Sequence, residues 1–285
     1  MEGQSTLRDR FEQHKERLSR SELAVVEYLL TTPMDVLVFQ NAEEIAAQSG
    51  TSDATVIRAA RRLGFSGLPE LKRLCSRAMA KSIPTAERLL QRFRATGDDL
   101  VSIKQRVFST VHEIMESCEE KLDLAEISHA MQLLEQADTV WCIGIGRSEV
   151  EALHGKIALS RVGLRARHTG AAGFSLANEL IDLRAADVVV IFHAARDTPE
   201  FRLVIEHAAK LGCGVVLICG VQLTDLYRDR VSAVLTCVGS ATGLASWTLG
   251  AIVVLDLLAY GIAARNQERA VATRRGLADL RGRLP

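Results

Sequence analysis

Asn41–Phe65, NAEEIAAQSGTSDATVIRAARRLGF, decides the reading of the N-terminal half. Asn41 can cap a helix and Glu44, three residues on, can reach back to its amide, a reciprocal capping box. Ile45 and Ala46 then lead into Ser49-Gly50-Thr51, where Gly50 can take the left-handed conformation that ends a helix. Ser52 is placed to cap a second helix, whose apolar positions Val56, Ala59, Ala60 and Leu63 recur at helical spacing until Gly64 stops it. Thr55, Arg58, Arg61 and Arg62 are left to point partly outward. Two short helices around a tight glycine turn, the second basic on its outer side, form a helix-turn-helix of the DNA-reading kind.

Outward from that stretch, Leu18–Leu30 carries its own capping box, Ser19 with Glu22, and apolar residues at Leu23, Val26, Leu29 and Leu30. It predicts a helix packed behind the pair and closed by Thr31-Thr32-Pro33. Pro69 opens a further helix, 70–79. Residues 1–81 therefore form an all-α helix-turn-helix domain. Residues 82–105, with Pro84, Gly97 and a charged run, are expected to be a partly helical linker.

From about Leu100 the patterning changes, and 106–285 reads as a second domain. Continuous apolar runs at Thr139–Ile143, Asp187–Phe192, Gly214–Cys219 and Ser232–Cys237 alternate with amphipathic stretches such as Pro199–Leu211. Runs buried on both faces, alternating with helices, indicate a parallel sheet in an α/β three-layer sandwich. Ser246–Ala264 predicts a long apolar closing helix, and Glu268–Leu284 a terminal one weakened by Gly276 and Gly282.

The chain has 285 residues, 48% hydrophobic and 25% charged, with a formal net charge of zero. That balance excludes a basic nucleic-acid coat and puts weight on local charge. From Arg58 to Arg77 the cations Arg58, Arg61, Arg62, Lys72, Arg73 and Arg77 face the single acid Glu70, which marks where phosphates would be met. The six cysteines show no CxxC and no histidine at zinc-ligand spacing. Cys142 and Cys219 lie inside apolar runs, as buried structural thiols do. No metal or cofactor is implied. The N-terminus lacks a signal-peptide apolar core, and the apolar run near Leu249–Ala264 is broken by Asp256 and short for a membrane span, so a cytoplasmic protein without a membrane partner is expected.

Two loops in the second half carry possible chemistry. Gly144-Ile145-Gly146-Arg147-Ser148 follows a strand and opens a helix, where free amides and the positive helix end favour an anion. The glycines serve equally if they merely tighten the turn. Phe192–Glu200, FHAARDTPE, lies at the carboxyl edge of the same sheet, where open parallel sheets bind ligands. Arg196 and Thr198 are candidates to meet a phosphate or sugar hydroxyl. Thr198 with Pro199 also reads as an ordinary helix start, and His193 as a structural strand end. A dinucleotide fingerprint fails, lacking the third glycine and the acidic residue.

With those segments in hand, the chain resembles the RpiR (MurR/RpiR) family of bacterial transcriptional regulators, in which a helix-turn-helix domain precedes a sugar isomerase (SIS) domain. The agreement runs through LSRSELAVVEYLL, AEEIAAQSGTSDATVIRAARRLGFSGLPELKRLC, GIGRSE and DVVVIFHAARDTPE. The resemblance implies a regulator of carbohydrate metabolism that senses a phosphosugar or a related acidic metabolite and binds a palindromic operator on double-stranded DNA as a homodimer or homotetramer. It also implies that two Ser/Thr-rich loops hold the ligand. Gly144, Gly146 and Ser148 match the first, with Arg147 between them. The second, usually Ser-x-Ser/Thr-Gly, reads Phe192-His193-Ala194-Ala195 here, which removes the hydroxyls.

On the DNA side, Ser52, Thr55, Arg58 and Arg61 are assigned to base edges and Arg62 and Lys72 to phosphates. Two other functions stand beside the regulator. One is an aldose–ketose isomerase, for which Glu149, Glu151, His154 and His193 offer bases but no constellation. The other is a ligand-blind dimerisation scaffold. No enzyme activity is expected.

Overall fold

The computed structural model describes residues 2–82, 85–194, 197–237, 239 and 246–284. The chain divides after Glu120 into one unit built from Met1–Glu120 and another from Lys121–Gly239 and Trp247–Pro285.

In the first unit, capping chemistry sets where helices begin. Helix α1 (Glu2–His14) is followed by α2 (Arg20–Thr31), α3 (Met34–Leu37), α4 (Ala42–Ser49), α5 (Asp53–Arg62) and α6 (Leu68–Ser82). The expected boxes form at both places. Glu22 N donates to Ser19 while Glu22 accepts from the Ser19 amide, and Asn41 and Glu44 do the same at 2.8 Å each way. Gly50 takes φ +64°, and Ser52 accepts from Thr55 N to start α5. Val25, Val26, Leu29, Ile45, Val56, Ala59, Leu63 and Leu71 fill the core between these helices.

Helix α1 has no counterpart in the sequence reading, because its surface is polar. Among the described side chains of α1, Leu7 is the one fully buried, and Arg10 clips the end of α5 by donating to Gly64 O at 2.7 Å and lying 4.1 Å over the Phe65 ring.

The expected linker, 82–105, holds α7 (Thr85–Thr96) and the start of α8 (Leu100–Lys121). The expected boundary at 105/106 falls inside α8, and the physical reason is electrostatic. Arg106 on α8 donates to Glu44 Oε1 at 2.5 Å and to Phe39 O at 2.7 Å, and Glu113 accepts from Lys72. These pairs tie α8 to the helix-turn-helix, so the unit extends forty residues beyond the expected 81.

The second unit begins with α9 (Leu124–Gln136), capped by Asp123. There follow β1 (Val140–Ile143), α10 (Glu149–Ser160), β2 (Ala166–Thr169), α11 (Phe174–Leu180) and β3 (Val188–His193). Then come α12 (Pro199–Leu211), β4 (Gly214–Gly220), α13 (Val221–Tyr227), β5 (Ala233–Cys237), α14 (Thr248–Arg265) and α15 (Gln267–Arg281). The five strands are parallel in the order β2-β1-β3-β4-β5, with Val140 opposite Val188 and Ile143 opposite Ile191. The four apolar runs named in the sequence are the four inner and far-edge strands. Strand β2, Ala-Arg-His-Thr, sits at an edge with polar side chains and carries no apolar run to announce it.

One face of the sheet buries Trp141, Ile143, Val189, Ile191, Val215 and Leu217 with α11, α12 and α13. The alternate residues face α9, α10 and α14, as the close approach of Gly155 to Cys142, Phe192 and Leu255 shows. The three-layer α/β/α sandwich is therefore present. Helix α14 is long and apolar enough to cross a membrane, the one such helix among the described residues. Here its Ala251, Val254, Leu255, Leu258 and Ile262 pack into the unit. All six cysteines are buried and outside disulfides, and burial pushes the Cys75, Cys142 and Cys219 thiols up to about 12, which leaves those three inert.

A buried carboxylate fixes the β1–β3 junction. Asp187 Oδ2 accepts from the Trp141 indole at 3.1 Å and from Arg184 N at 2.9 Å. Asp187→Ala orphans a buried indole N–H and should lower stability by about 2–3 kcal/mol in chemical denaturation. A loss below about 0.5 kcal/mol would show that the junction does not depend on it.

Candidate functional site

On the first unit, α5 presents Ser52, Asp53, Ala54, Arg58, Arg61 and Arg62 as exposed residues. Arg58, Arg61 and Arg62 are thus brought onto one accessible helix surface. Their surroundings differ. Arg58 Nη2 donates to Thr55 Oγ1 at 3.0 Å, while its Nε lies 3.9 Å from Glu22, an acid only 4% exposed behind the helix. The Ser19 amide, with Arg62 and Arg58 nearby, holds the Glu22 carboxyl below the usual carboxylate range. Arg61 donates to Ser66 O at 3.2 Å and to Glu120 at 2.9 Å. This exposed pair exchanges readily for a phosphate, since surface ion pairs are worth little.

Two expected contacts need correction. Thr55 is 5% exposed, and its hydroxyl is used by Ser52 and Arg58, so it orients Arg58 rather than facing a base. Lys72 is 2% exposed and donates to both Glu113 oxygens, at 2.9 and 3.0 Å. It is a buried structural ion pair, because α8, which the sequence reading left outside the domain, covers it. Ser52 is the cap of α5, as its sequence position also suggested, while its exposure keeps its hydroxyl near any ligand of the helix N-terminus. Asp53 and Ala54 were missed. Exposure at the first turn of a recognition helix is the signal that finds them.

On the second unit the chain order of the sheet reverses between β1 and β3, which makes their carboxyl ends the topological switch point. The two loops singled out from sequence leave from those two strands. In the first, a Cβ on Gly144 would lie 2.0 Å from the Ser148 carbonyl oxygen, so the loop folds back over a residue that has to be glycine. Gly146 holds φ +62°, in the left-handed region. Ser148 ends a 3-10 turn at the start of α10, and its side chain makes no cap hydrogen bond. Arg147 is exposed beside it. Glu149 folds across Gly170 at the end of β2, where a Cβ would meet its carboxyl carbon at 2.3 Å.

In the second loop, His193 stacks on Phe201 with centroids 4.5 Å apart, a structural role. Thr198 accepts from Phe201 N at 3.3 Å and caps α12 with Pro199 behind it, so its hydroxyl is spent on the helix. Asp197 accepts from the Tyr227 hydroxyl at 2.5 Å and from Arg202 at 2.7 Å. Arg196 lies outside the described residues. Of the candidate bases, His154 pairs with Asp256 of α14 at 2.9 Å. Glu151 is 1% exposed, and its Oε2 has no hydrogen-bond partner among the described residues. No group of acidic, cysteine and histidine side chains suited to a metal occurs among the described residues.

Family models match in two segments: residues 6–82 fit the helix-turn-helix domain of the rpiR family, and residues 133–259 fit the SIS domain. The chain thus joins a helix-turn-helix domain of the rpiR family to a SIS domain. A transcriptional regulator of this type from Haemophilus influenzae is 29% identical over 153 residues, covering 54% of this chain and 53% of that protein. The chain thus spans about half the length of that relative. The helix-turn-helix regulator YbbH of Bacillus subtilis is 26% identical over 269 residues, 89% of each chain. Among solved structures, the sugar isomerase domain of the RpiR transcription factor from Sphaerobacter thermophilus has a TM-score of 0.58 at 24% identity, over 62% of this chain and 98% of that one. The Vibrio vulnificus NanR protein, solved with ManNAc-6P, has a TM-score of 0.56 at 17% identity over 98% and 97%. At those identities the structures show the shared fold.

Two measurements check this geometry. Lys72→Ala strands the largely buried Glu113 charge and should cost about 3–5 kcal/mol, while Lys72→Met with Glu113→Leu should recover most of it. A Lys72→Ala melt equal to the parent would return Lys72 to the surface. The second concerns Asp197, whose carboxyl the Tyr227 hydroxyl, then Arg202, holds below its ordinary value. A depressed folded value adds stability that is present above the unfolded pKa and is lost as pH falls through the folded one. Tyr227→Phe should move the Asp197 carboxyl resonance midpoint upward in an NMR titration. An unmoved midpoint would contradict the hydrogen bond.

Proposed function

We propose that the chain binds double-stranded DNA with α5 in the major groove, and that a phosphorylated sugar bound at the β1–β3 switch point modulates that binding. The observation that carries the DNA half is the exposed row Arg58, Arg61 and Arg62 on a helix entered through a left-handed glycine. Phosphate contacts supply affinity and base contacts supply sequence, and this helix offers both. Ser52, Asp53 and Ala54 at the N-terminal end and Arg58 one turn on reach base edges, and Arg61 and Arg62 follow towards the backbone. Two copies of the chain would set two such helices on half-sites about 34 Å apart.

The effector half rests on the loop Gly144–Ser148. Gly146 leaves open space for close approach, the Ser148 hydroxyl is not spent on a cap, and the loop opens a twelve-residue helix whose N-terminus favours anions. The Vibrio protein of the same fold, solved with a phosphosugar, supports that ligand class. The regulator acts by binding, with no catalytic step. A ligand-blind scaffold is the second reading, favoured by the loss of hydroxyls at Phe192-His193-Ala194.

Three substitutions test the DNA assignment by fluorescence anisotropy on the promoter region of the chain's own gene. Arg58→Ala should cost about 1–3 kcal/mol and relax sequence preference at one position. Arg62→Ala should weaken all sequences alike and lower the salt slope by about one. The Lys72→Met, Glu113→Leu pair should leave the slope unchanged. A slope that drops with the buried pair but not with Arg62→Ala would reject the assignment.

A further inference from the structure

Close to the switch-point loop in sequence lies a buried acidic side chain, Glu151, one of whose oxygens has no hydrogen-bond partner among the described residues. On α10 the buried positions are Glu151, Ala152, Gly155 and Leu159. Gly155 marks where this stripe points, because a Cβ there would lie 3.1 Å from Cys142 Sγ of β1 and 3.3 Å from Phe192 Cζ of β3. Glu151 is one turn nearer the helix N-terminus on the same stripe. Helix α10 runs back against the parallel strands, so that end of it lies at their carboxyl edge. Side chains on a helix lean towards its N-terminus. Glu151 therefore sits on the buried face of α10 at the end nearest the carboxyl ends of β1 and β3, three residues after Ser148.

Its position in the third residue of the helix would suit a capping box with Ser148. The box does not form: the Ser148 side chain makes no cap bond, and the Ser148 amide is already given to Ile145 O at 3.3 Å. Glu151 stays 1% exposed, with Oε2 unpaired among the described residues. A carboxylate removed from water without a donor is costly, and such groups persist where a ligand completes them.

We propose that Glu151 is the specificity determinant of the crevice and accepts a hydrogen bond from a hydroxyl or ammonium on the carbon skeleton of the phosphorylated ligand. This rests on the phosphosugar reading above and adds the ligand's orientation and a requirement on its chemistry. A phosphate cannot sit against a carboxylate, so the phosphate lies over the amides of Gly146 and Arg147 and the sugar body turns towards Glu151. The usual second-loop hydroxyls are missing at Phe192–Ala194, and Glu151 replaces neutral donors to the ligand by a charged acceptor from it. The site then prefers a sugar phosphate that carries a donor to bare phosphate.

Isothermal titration of the full-length chain tests this with glucose 6-phosphate, glucosamine 6-phosphate, N-acetylmannosamine 6-phosphate and inorganic phosphate. Each is titrated into the parent, Glu151→Gln and Glu151→Ala. The expected result is that the sugar phosphate the parent prefers is weakened about 10- to 100-fold in both variants, whereas inorganic phosphate changes less than about twofold. A larger loss for glucosamine 6-phosphate than for glucose 6-phosphate assigns the donor as an ammonium, and equal losses assign a hydroxyl. The ligand-free melting temperature of Glu151→Gln should rise, since an unpaired buried charge is removed. A structural carboxylate would lower it. A lowered melting temperature, or a preferred sugar phosphate bound equally by the variants, overturns this inference and leaves the sensor reading standing. A parent that binds none of the sugar phosphates overturns both.

Discussion

The adjacency of β1 and β3 is the constraint on which the α/β half depends. Val140–Ile143 and Val188–Ile191 pair in parallel and are buried on both faces, so neither can lie at an edge. The chain leaves β1 by α10 to reach β2 on one side, and returns by α11 to β3 on the other. Two helices starting from neighbouring strands must then diverge to opposite faces, and a crevice opens between their loops. Gly144 and Gly220 make that arrangement possible at close quarters: a Cβ on the first would meet the Ser148 carbonyl, and on the second the Ala194 carbonyl at 1.9 Å. Asp187 holds the lower end of the same junction, and Asp197 with Tyr227 anchors the far end of the second loop. The crevice is thus a consequence of strand order, and its chemistry is set by what projects there.

The DNA-reading half depends on a different device. Its recognition helix is short, and capping and clipping at both ends fix it more than length does. Ser52 starts it, Gly50 sets the turn before it, and Arg10 with the Gly64 bend holds its end. Behind it, Glu22 offsets part of the charge of Arg58 and Arg62. Helix α8 adds the third side through ion pairs at Glu44, Lys72 and Arg61. Local patterning cannot reveal such long-range pairs, which join residues about forty to sixty positions apart in sequence.

That difference explains what the sequence made legible. Capping boxes, the glycine turn and the apolar runs are local signals, and Asn41, Glu44, Gly50, Ser52 and the strands around Cys142, Val190, Ile218 and Leu235 all stand where periodicity put them. Strand β2 escaped because an edge strand of Ala-Arg-His-Thr need not be apolar. Helix α1 escaped because EGQSTLRDRFEQH is mostly polar and carries little apolar pattern. Lys72 was misassigned because a cation beside a recognition helix looks the same in sequence whether it faces solvent or a carboxylate on a helix forty residues away. Thr198 was legible as a cap, and Arg58, Arg61 and Arg62 as an exposed row. Glu151 was visible as an acid near the loop, but its burial and its unpaired oxygen exist only in three dimensions.

Coupling between the two halves is the central claim, and one titration addresses it. Binding of the full-length chain to labelled promoter DNA of its own gene would be followed by anisotropy at fixed salt, with and without saturating sugar phosphates. The account predicts site-selective binding whose affinity one sugar phosphate changes by roughly 5- to 150-fold, with inorganic phosphate inert. Site-selective binding indifferent to every sugar phosphate, with none of them bound by calorimetry, would contradict it and leave a DNA-binding scaffold.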